Sequence, residues 1–306
     1  MSRFTIVGLG EALYDIFGQR QILGGAPLNV AVHAHQLGSV RGGRGVVVSR
    51  VGQDDLGRSV SDELRRRGMT TNYLQTDPDH DSGRVYVSVD AGGQPEYDIV
   101  QDVAWDWIQF DPDVEDLARR CEAVCFGTLV QRNSQSRNTI YRMLDACKPR
   151  SVRLLDVNLR QEHFDRNILQ RSLECASAVK LNEQELDVLN ETLSVGAADS
   201  SVDACVSRLI SAYDLRLLAL TRGACGTVIY TPANRHEGPP VLYDPAPDAD
   251  AVGAGDACAA AIALGMILGW PPERTVKLAN HAGAYVASRP GGTPELPDVI
   301  LEMAKD

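Results

Sequence analysis

Two carboxylates bracket a run of very small residues in Asp250-Ala251-Val252-Gly253-Ala254-Gly255-Asp256, and an alanine-rich stretch, Ala257 to Leu264, follows at once. The start of a helix leaves backbone N–H groups without intrahelical partners and with partial positive charge. Gly253, Ala254 and Gly255 therefore have the form of a nest for a transferring phosphoryl group, with no side chain large enough to hold the anion away. Asp256, in the same turn, is placed to accept a proton from an attacking hydroxyl. The same residues also fit a plain glycine turn with an acidic residue opening a helix. A second segment, Gly24-Gly25-Ala26-Pro27-Leu28-Asn29-Val30-Ala31, puts a Gly-Gly turn before a proline at a helix start. Asn29 then lies on the first turn, and its amide, both donor and acceptor, suits sugar hydroxyls. A simple helix-turn role for it stays open.

Strand-like and helix-like runs alternate around these two segments. Residues 4–7, 45–48, 123–126, 152–156, 178–181 and 216–220 are short and rich in branched side chains, as strands are. Residues 27–37, 56–67, 134–147, 183–190 and 202–212 carry helical spacing, and the chain turns helical from Gly255 through Val286. Such alternation predicts an α/β fold: a mostly parallel central sheet with helices on both faces. One region departs from it. Residues 83–90 alternate, pass through Ala91-Gly92-Gly93-Gln94-Pro95 and return over 96–100, a β-hairpin pattern. Residues 12–17 and 21–23 are further strand candidates for the same small sheet. The expectation is one domain over 1–306, with a small β-sheet lid of about 12–23 and 84–101 inserted in it. A sheet of that size needs a cover: it folds over a ligand, pairs with the same sheet of a second copy, or both.

Composition narrows the function classes. The 306 residues carry 30 Lys and Arg against 41 Asp and Glu, a formal net charge of -11. That balance lacks the basic footprint needed for nucleic acid or an anionic membrane, though not for small anions held by local donors. The seven cysteines (121, 125, 147, 175, 205, 225, 258) include no Cys-x-x-Cys pair, so a reducing cytoplasm is the expected home and none is given a role. The N-terminus enters a strand-like run at once, unlike a signal peptide, and the apolar run from Ala257 to Trp270 is too short to span a bilayer. The six histidines (33, 35, 80, 163, 236, 281) show no metal-binding spacing. Gly8-Leu9-Gly10 opens like a dinucleotide fingerprint, but its third glycine position is Leu13. There is no Gly-Lys-Ser/Thr phosphate loop and no His-Arg-Asp catalytic loop.

The glycine segments, in this order along the chain, resemble the two signature regions of the ribokinase-like (PfkB) family of carbohydrate kinases. Further matches are Gly10-Glu11-Ala12-Leu13-Tyr14-Asp15, Val51-Gly52-Gln53-Asp54-Asp55-Leu56-Gly57, Asp156-Val157-Asn158-Leu159-Arg160, Asn182-Glu183-Gln184-Glu185, Thr221-Arg222-Gly223-Ala224-Cys225-Gly226 and Gly291-Gly292-Thr293-Pro294. Within the family, Gly10-Glu11-Ala12, Gly24-Gly25-Ala26-Pro27 and the stretch from Asp90 to Trp107 look most like fructokinases.

The resemblance implies the ribokinase-like three-layer α/β/α fold and an ATP- and Mg²⁺-dependent kinase that phosphorylates a sugar hydroxyl, with fructose the first candidate. Another sugar, a sugar acid such as 2-keto-3-deoxygluconate, a nucleoside, or a non-catalytic sugar- or nucleotide-binding protein are the alternatives. By the same resemblance Asp256 is the base, Gly253, Ala254 and Gly255 form the anion hole, and Asp15, Gly25, Asn29 and Arg160 meet the sugar. Asn182 and Glu185 order the magnesium and phosphate region largely through water, Thr221 and Gly223 flank the nucleotide, and Asn280 lies near the adenine. Asp250 matches an acid that, in many members, helps bind a monovalent cation such as potassium. Ala251 departs from the threonine common at its position, which puts that hydroxyl's hydrogen bond, and part of the cation site, in doubt. The implied partners are the sugar and ATP; the half-covered hairpin, apart from the resemblance, adds a second copy of the chain pairing through the lid.

Overall fold

The computed structural model describes residues 3–89, 95–195 and 201–305. In chain order the elements are β1 (Thr5–Leu9), β2 (Leu13–Phe17), β3 (Arg20–Gly24), α1 (Ala26–Ser39), β4 (Arg44–Gly52), α2 (Asp55–Arg66), β5 (Leu74–Asp77), β6 (Gly83–Val89), β7 (Pro95–Ile99), α3 (Pro112–Arg120), β8 (Ala123–Phe126), α4 (Ser134–Ala146), β9 (Val152–Asp156), α5 (Arg166–Cys175), β10 (Ala178–Asn182), α6 (Glu183–Leu193), α7 (Val202–Ala212), β11 (Leu217–Thr221), β12 (Thr227–Tyr230), β13 (Arg235–Glu237), α8 (Ala254–Leu268), α9 (Pro272–Ala287) and α10 (Asp298–Lys305).

Nine strands form one sheet in the order β13-β12-β11-β10-β9-β8-β1-β4-β5. From β5 to β11 all neighbours run parallel, and β12 and β13 add an antiparallel edge. The strands are apolar on both faces because both are covered. In β8, Ala123 and Cys125 face one helical layer while Val124 and Phe126 face the other. One layer holds α1, α8, α9 and α10; the other holds α3 to α7, with Leu117, Ile140, Leu169, Leu189 and Leu209 among its buried residues. Apolar all round, α8 is at the centre of its layer, and Ala257 to Leu264 are buried without exception. This is the three-layer architecture expected from the alternation.

A second sheet, in the order β3-β2-β6-β7, confirms the hairpin pattern and its two added strands. Its bounds shift slightly, to 13–17, 20–24, 83–89 and 95–99, and the predicted turn at 91–94 lies outside the described residues. The stretch expected to be helical from Gly255 through Val286 is two helices, because Gly269 adopts a left-handed conformation and Pro271 follows. β5, α3, α5, β12, β13 and α10 have no counterpart in the sequence reading. β5 and β13 are only four and three residues long and partly exposed, too short to display a period.

Candidate active site

Several side chains that matter leave the carboxyl ends of the parallel strands, where open α/β sheets bind ligands. Glu11 follows β1, Asp156 ends β9, Asn182 ends β10 and Thr221 ends β11. Against this edge stand the first turns of α1 and α8, and they touch. Asn29 Nδ2 donates to Asp256 Oδ2 at 2.8 Å, joining residues 227 positions apart. Asp256 is only 9% exposed. Burial, and then the Asp156 carboxylate, push its pKa up to about 6, while Lys180, the Asn29 amide and Arg160 pull it down. The result is a carboxylate that is ionised near neutrality and more basic than an ordinary aspartate.

α8 begins without a side-chain cap. Its N-cap, Gly253, has φ +78, a left-handed conformation, and a Cβ there would stand 2.0 Å from the Gly292 carbonyl oxygen. Only glycine fits. The Ala254 N–H donates to the Ala251 carbonyl at 3.3 Å, and the first-turn N–H groups of Gly255 and Asp256, with no side-chain cap, are left for a ligand. The loop containing Gly292 is itself fixed on three sides. His33 Nε2, from the buried face of α1, donates to the Gly292 carbonyl at 2.9 Å. Asp250 Oδ2 accepts from Gly291 N at 3.0 Å, and its Oδ1 accepts from Val252 N at 3.0 Å. Gln36 accepts from Leu296 N. Asp250 therefore ties two loops together in this structure.

The expected sugar-side residues gather on the other side of Asp256. Gly25 has φ +104, and a Cβ there would meet the Glu11 carbonyl oxygen at 2.3 Å. Asp15 reaches in from β2 of the small sheet. Burial pushes its pKa up to about 6, with Arg160 opposing and Asp250 adding to the rise. Arg160 is exposed, its Nη1 donating to its neighbour's carbonyl, yet its charge bears on Asp15, Glu11 and Asp256 alike.

Behind the nest opens a cleft of about 400 Å³ lined by Thr221, Gly223, Ala254, Gly255, Tyr243 and Asn280 among others. Its walls are mostly apolar, with Val241, Leu242 and Ala279 contributing. Asn280 Nδ2 donates to the Pro239 carbonyl, while its buried Oδ1 has no partner. The structure thus brings Thr221, Gly223 and Asn280 together with the nest. Asn182 and Glu185 are not in that lining. They close a capping box on α6: Asn182 Oδ1 accepts from Glu185 N, and Glu185 Oε2 accepts from Asn182 N, both at 2.8 Å. Glu185 Oε1 also accepts from Leu159 N.

Three groups at this junction escaped the sequence reading. Glu11 is buried, with Oε2 unpartnered, and desolvation pushes its pKa up to about 7; the N–H groups of Glu11 and Ala26 and the charge of Arg160 act against that rise. Asp156 and Lys180 form a buried ion pair of 2.9 Å. The signal for Lys180 was a lone cation in the apolar run Ala178-Val179-Lys180-Leu181; Glu11 and Asp156 lie inside matched segments that had assigned no role to them.

The sequence pattern of the pfkB family carbohydrate kinases matches residues 10–299. A fructokinase of Klebsiella pneumoniae is 27% identical over 94% of this chain and 95% of its own. Among solved structures, the fructokinase of Xylella fastidiosa with bound ATP superposes with a TM-score of 0.83 at 22% identity, covering 98% of this chain and 97% of that one. A double mutant of Vibrio cholerae fructokinase, in a form with fructose, ADP and potassium ion bound, gives 0.79 at 24%, covering 100% and 99%. With a family pattern spanning nearly its whole length, set on the fold and site described above, the chain belongs to the pfkB family of carbohydrate kinases.

Proposed function

We propose that this protein transfers the γ-phosphoryl group of ATP to a hydroxyl of a sugar, fructose before others, with Asp256 as the base. The contact between Asn29 and Asp256 carries the reading, because it puts a sugar-binding amide and a proton acceptor side by side at an uncapped helix start. Asp15, Gly25, Asn29 and Arg160 hold the sugar. Its hydroxyl oxygen bonds to the γ-phosphorus as the bond from that phosphorus to the β-γ bridging oxygen breaks. The hydroxyl proton passes to Asp256, and ADP leaves with the bridging electrons. Charge on the three equatorial oxygens is met by the backbone N–H groups of the nest. In so loose a transition state the proton moves late, so the carboxylate first orients the hydroxyl.

The cleft behind the nest takes the nucleotide, with Thr221 and Gly223 flanking it and Asn280 near the adenine. Mg²⁺ bound to the phosphates would neutralise their charge. Among the described residues no three His, Cys, Asp or Glu side chains gather as a metal cage, which suits an ion held mainly by phosphate and water. Asn182 and Glu185 act from the rim, through the charge Glu185 sets around Lys180. Asp250, pinning the Gly291 loop, is the candidate for a potassium response, and Ala251 weakens that site by lacking a hydroxyl.

The small sheet is read as a lid inserted in a single domain. Asp15, Phe17 and Tyr97 lie on one of its faces by register and Tyr86 on the other, and the three aromatic residues are exposed. Closure over the sugar would exclude water, the competing acceptor, and a second copy pairing through the lid is testable as a dimer mass in solution. Among the described residues no helix is long and apolar enough to cross a membrane; a cytoplasmic location is the reading that accompanies a sugar kinase with free cysteines.

The test is ADP release with ATP and Mg²⁺ across fructose, ribose, other hexoses, 2-keto-3-deoxygluconate and nucleosides, with and without K⁺. Turnover with fructose above the others, lost in Asp256→Asn, is the expected result. Faster turnover of another acceptor would replace fructose, and silence across the panel from a folded protein that binds ATP would favour a binding protein without catalysis.

A further inference from the structure

Before any phosphate arrives, the site holds more negative than positive charge. Asp156, Glu185 and Asp256 all bear on the ammonium of Lys180 in β10. Lys180 is 7% exposed. Its Nζ donates to Asp156 Oδ1 at 2.9 Å. A Cβ on Gly255 would stand 2.8 Å from that Nζ, so the ammonium lies directly beneath the second glycine of the nest with no side chain between.

A lysine in a strand between Val179 and Leu181, both fully buried, carries a heavy desolvation cost. An ion pair serving packing alone would be matched or bettered by an apolar pair of the same volume. The placement beneath the nest gives the charge a use. Around Asp256 stand Asn29 from α1, Cys125 from β8, Asp156 from β9, Arg160 from the loop after β9, Lys180 from β10 and Glu11 from the loop after β1. Burial and Asp156 press Asp256 toward its protonated form, and Lys180, Asn29 and Arg160 press toward the carboxylate; the Asp256 charge in turn helps keep Glu11 protonated. Burial holds the Cys125 thiol well above its ordinary pKa, so it stays neutral. Arg160 is exposed and screened by solvent and salt; Lys180 is neither.

We infer that Lys180 is a positioning residue, a fixed cation under Gly255 that keeps Asp256 in its proton-accepting form and steadies the negative charge collecting in the nest during transfer. The inference deepens the kinase reading and rests on it.

The experiment uses the full chain and the sugar that wild type turns over fastest, and measures kcat, the KM for ATP and the pH profile of kcat/KM. The variants are K180M, D156N and K180M/D156N, with folding checked by thermal melting. Losing Lys180 should lower kcat by about 100-fold, the scale of removing one oxyanion donor, and move the acidic limb of the profile to higher pH. D156N should move that limb to lower pH. The double variant leaves neither buried charge unpaired, so it carries the test if K180M does not fold, and it should stay at least about tenfold slow. Wild-type kcat and an unmoved limb in K180M overturn the inference. So does recovery of wild-type kcat in the double variant, because Lys180 would then serve only as Asp156's partner. Wild-type silence on every sugar overturns the kinase reading itself, and this inference with it.

Discussion

Of the helices that begin at the carboxyl edge of the sheet, α6, α1 and α8 treat their first turns differently. α6 is closed by its own residues through the reciprocal bonds of Asn182 and Glu185. α1 has no cap from Gly25; the buried carboxyl of Glu11, from the loop after β1, faces the N–H of Ala26 instead. α8 has a left-handed glycine for its cap and no side-chain partner at all. Unpaired N–H groups at a buried helix start are costly unless something satisfies them. A start satisfied from within is scaffold, and one left open is a place for an anion. If the proposed transfer runs at this edge, the gradation from α6 through α1 to α8 predicts how directly each start would meet the transferred group.

The largest effect belongs to the open start. Asp256→Asn keeps the shape and the contact with Asn29 but cannot take a proton, so kcat should fall about 1000-fold, within the range for a lost general base. In wild type, kcat/KM should fall as pH drops through about 6, because the raised pKa of Asp256 means it accepts a proton there and ceases to be a base. Titration of the rate in both proteins checks this. A wild-type acidic limb near pH 4 would show that Lys180, Asn29 and Arg160 outweigh burial.

Gly253→Ala comes next. The new Cβ meets a backbone carbonyl at 2.0 Å and the φ of +78 is one that alanine resists. We expect about 3 kcal/mol of lost stability, read as a lower denaturant midpoint, with turnover down about 100-fold as the nest is pushed away from Gly292. Unchanged turnover would mean that the nest does not position the phosphoryl group.

Much of this was legible in the sequence because the two open or borrowed starts are written in glycine. Gly24-Gly25 and Gly253-Ala254-Gly255 announce backbone that must approach something closely, and the alternation of runs gave the layers. What stayed hidden has a common cause. Glu11, Asp156 and Lys180 matter through desolvation and through charges that folding brings beside them, and a charge in an apolar run is visible without its partner being so. Asn182 and Glu185 show the converse. A helix-opening Asn-x-x-Glu is the same pattern whether it meets a nucleotide or only itself, and the structure shows the capping box.

The borrowed start has its own signature in stability. Glu11 titrates near 4.5 in an ordinary setting and at about 7 here, so the folded protein holds that proton more tightly than the unfolded chain. Stability must then decline as pH rises from 4.5 through 7, by roughly 2 kcal/mol between pH 5 and 7. Glu11→Gln removes the titration while keeping the shape, and melting curves across that window should flatten. A variant that declines as steeply as wild type would place the decline on other groups, such as Asp15.

The smallest effect should come from the closed start. Asn182→Ala removes the acceptor for Glu185 N and should cost about 1 kcal/mol, the usual worth of a helix cap. Its influence on turnover passes only through Glu185, which would keep its bond from Leu159 N and its place near Lys180. A loss of no more than about tenfold in kcat, with the KM for ATP nearly unchanged, fits a start that is scaffold. Were the KM for ATP to rise far more than stability falls, the closed start would also be a nucleotide contact, and the rank order of the three helices would no longer follow from their caps.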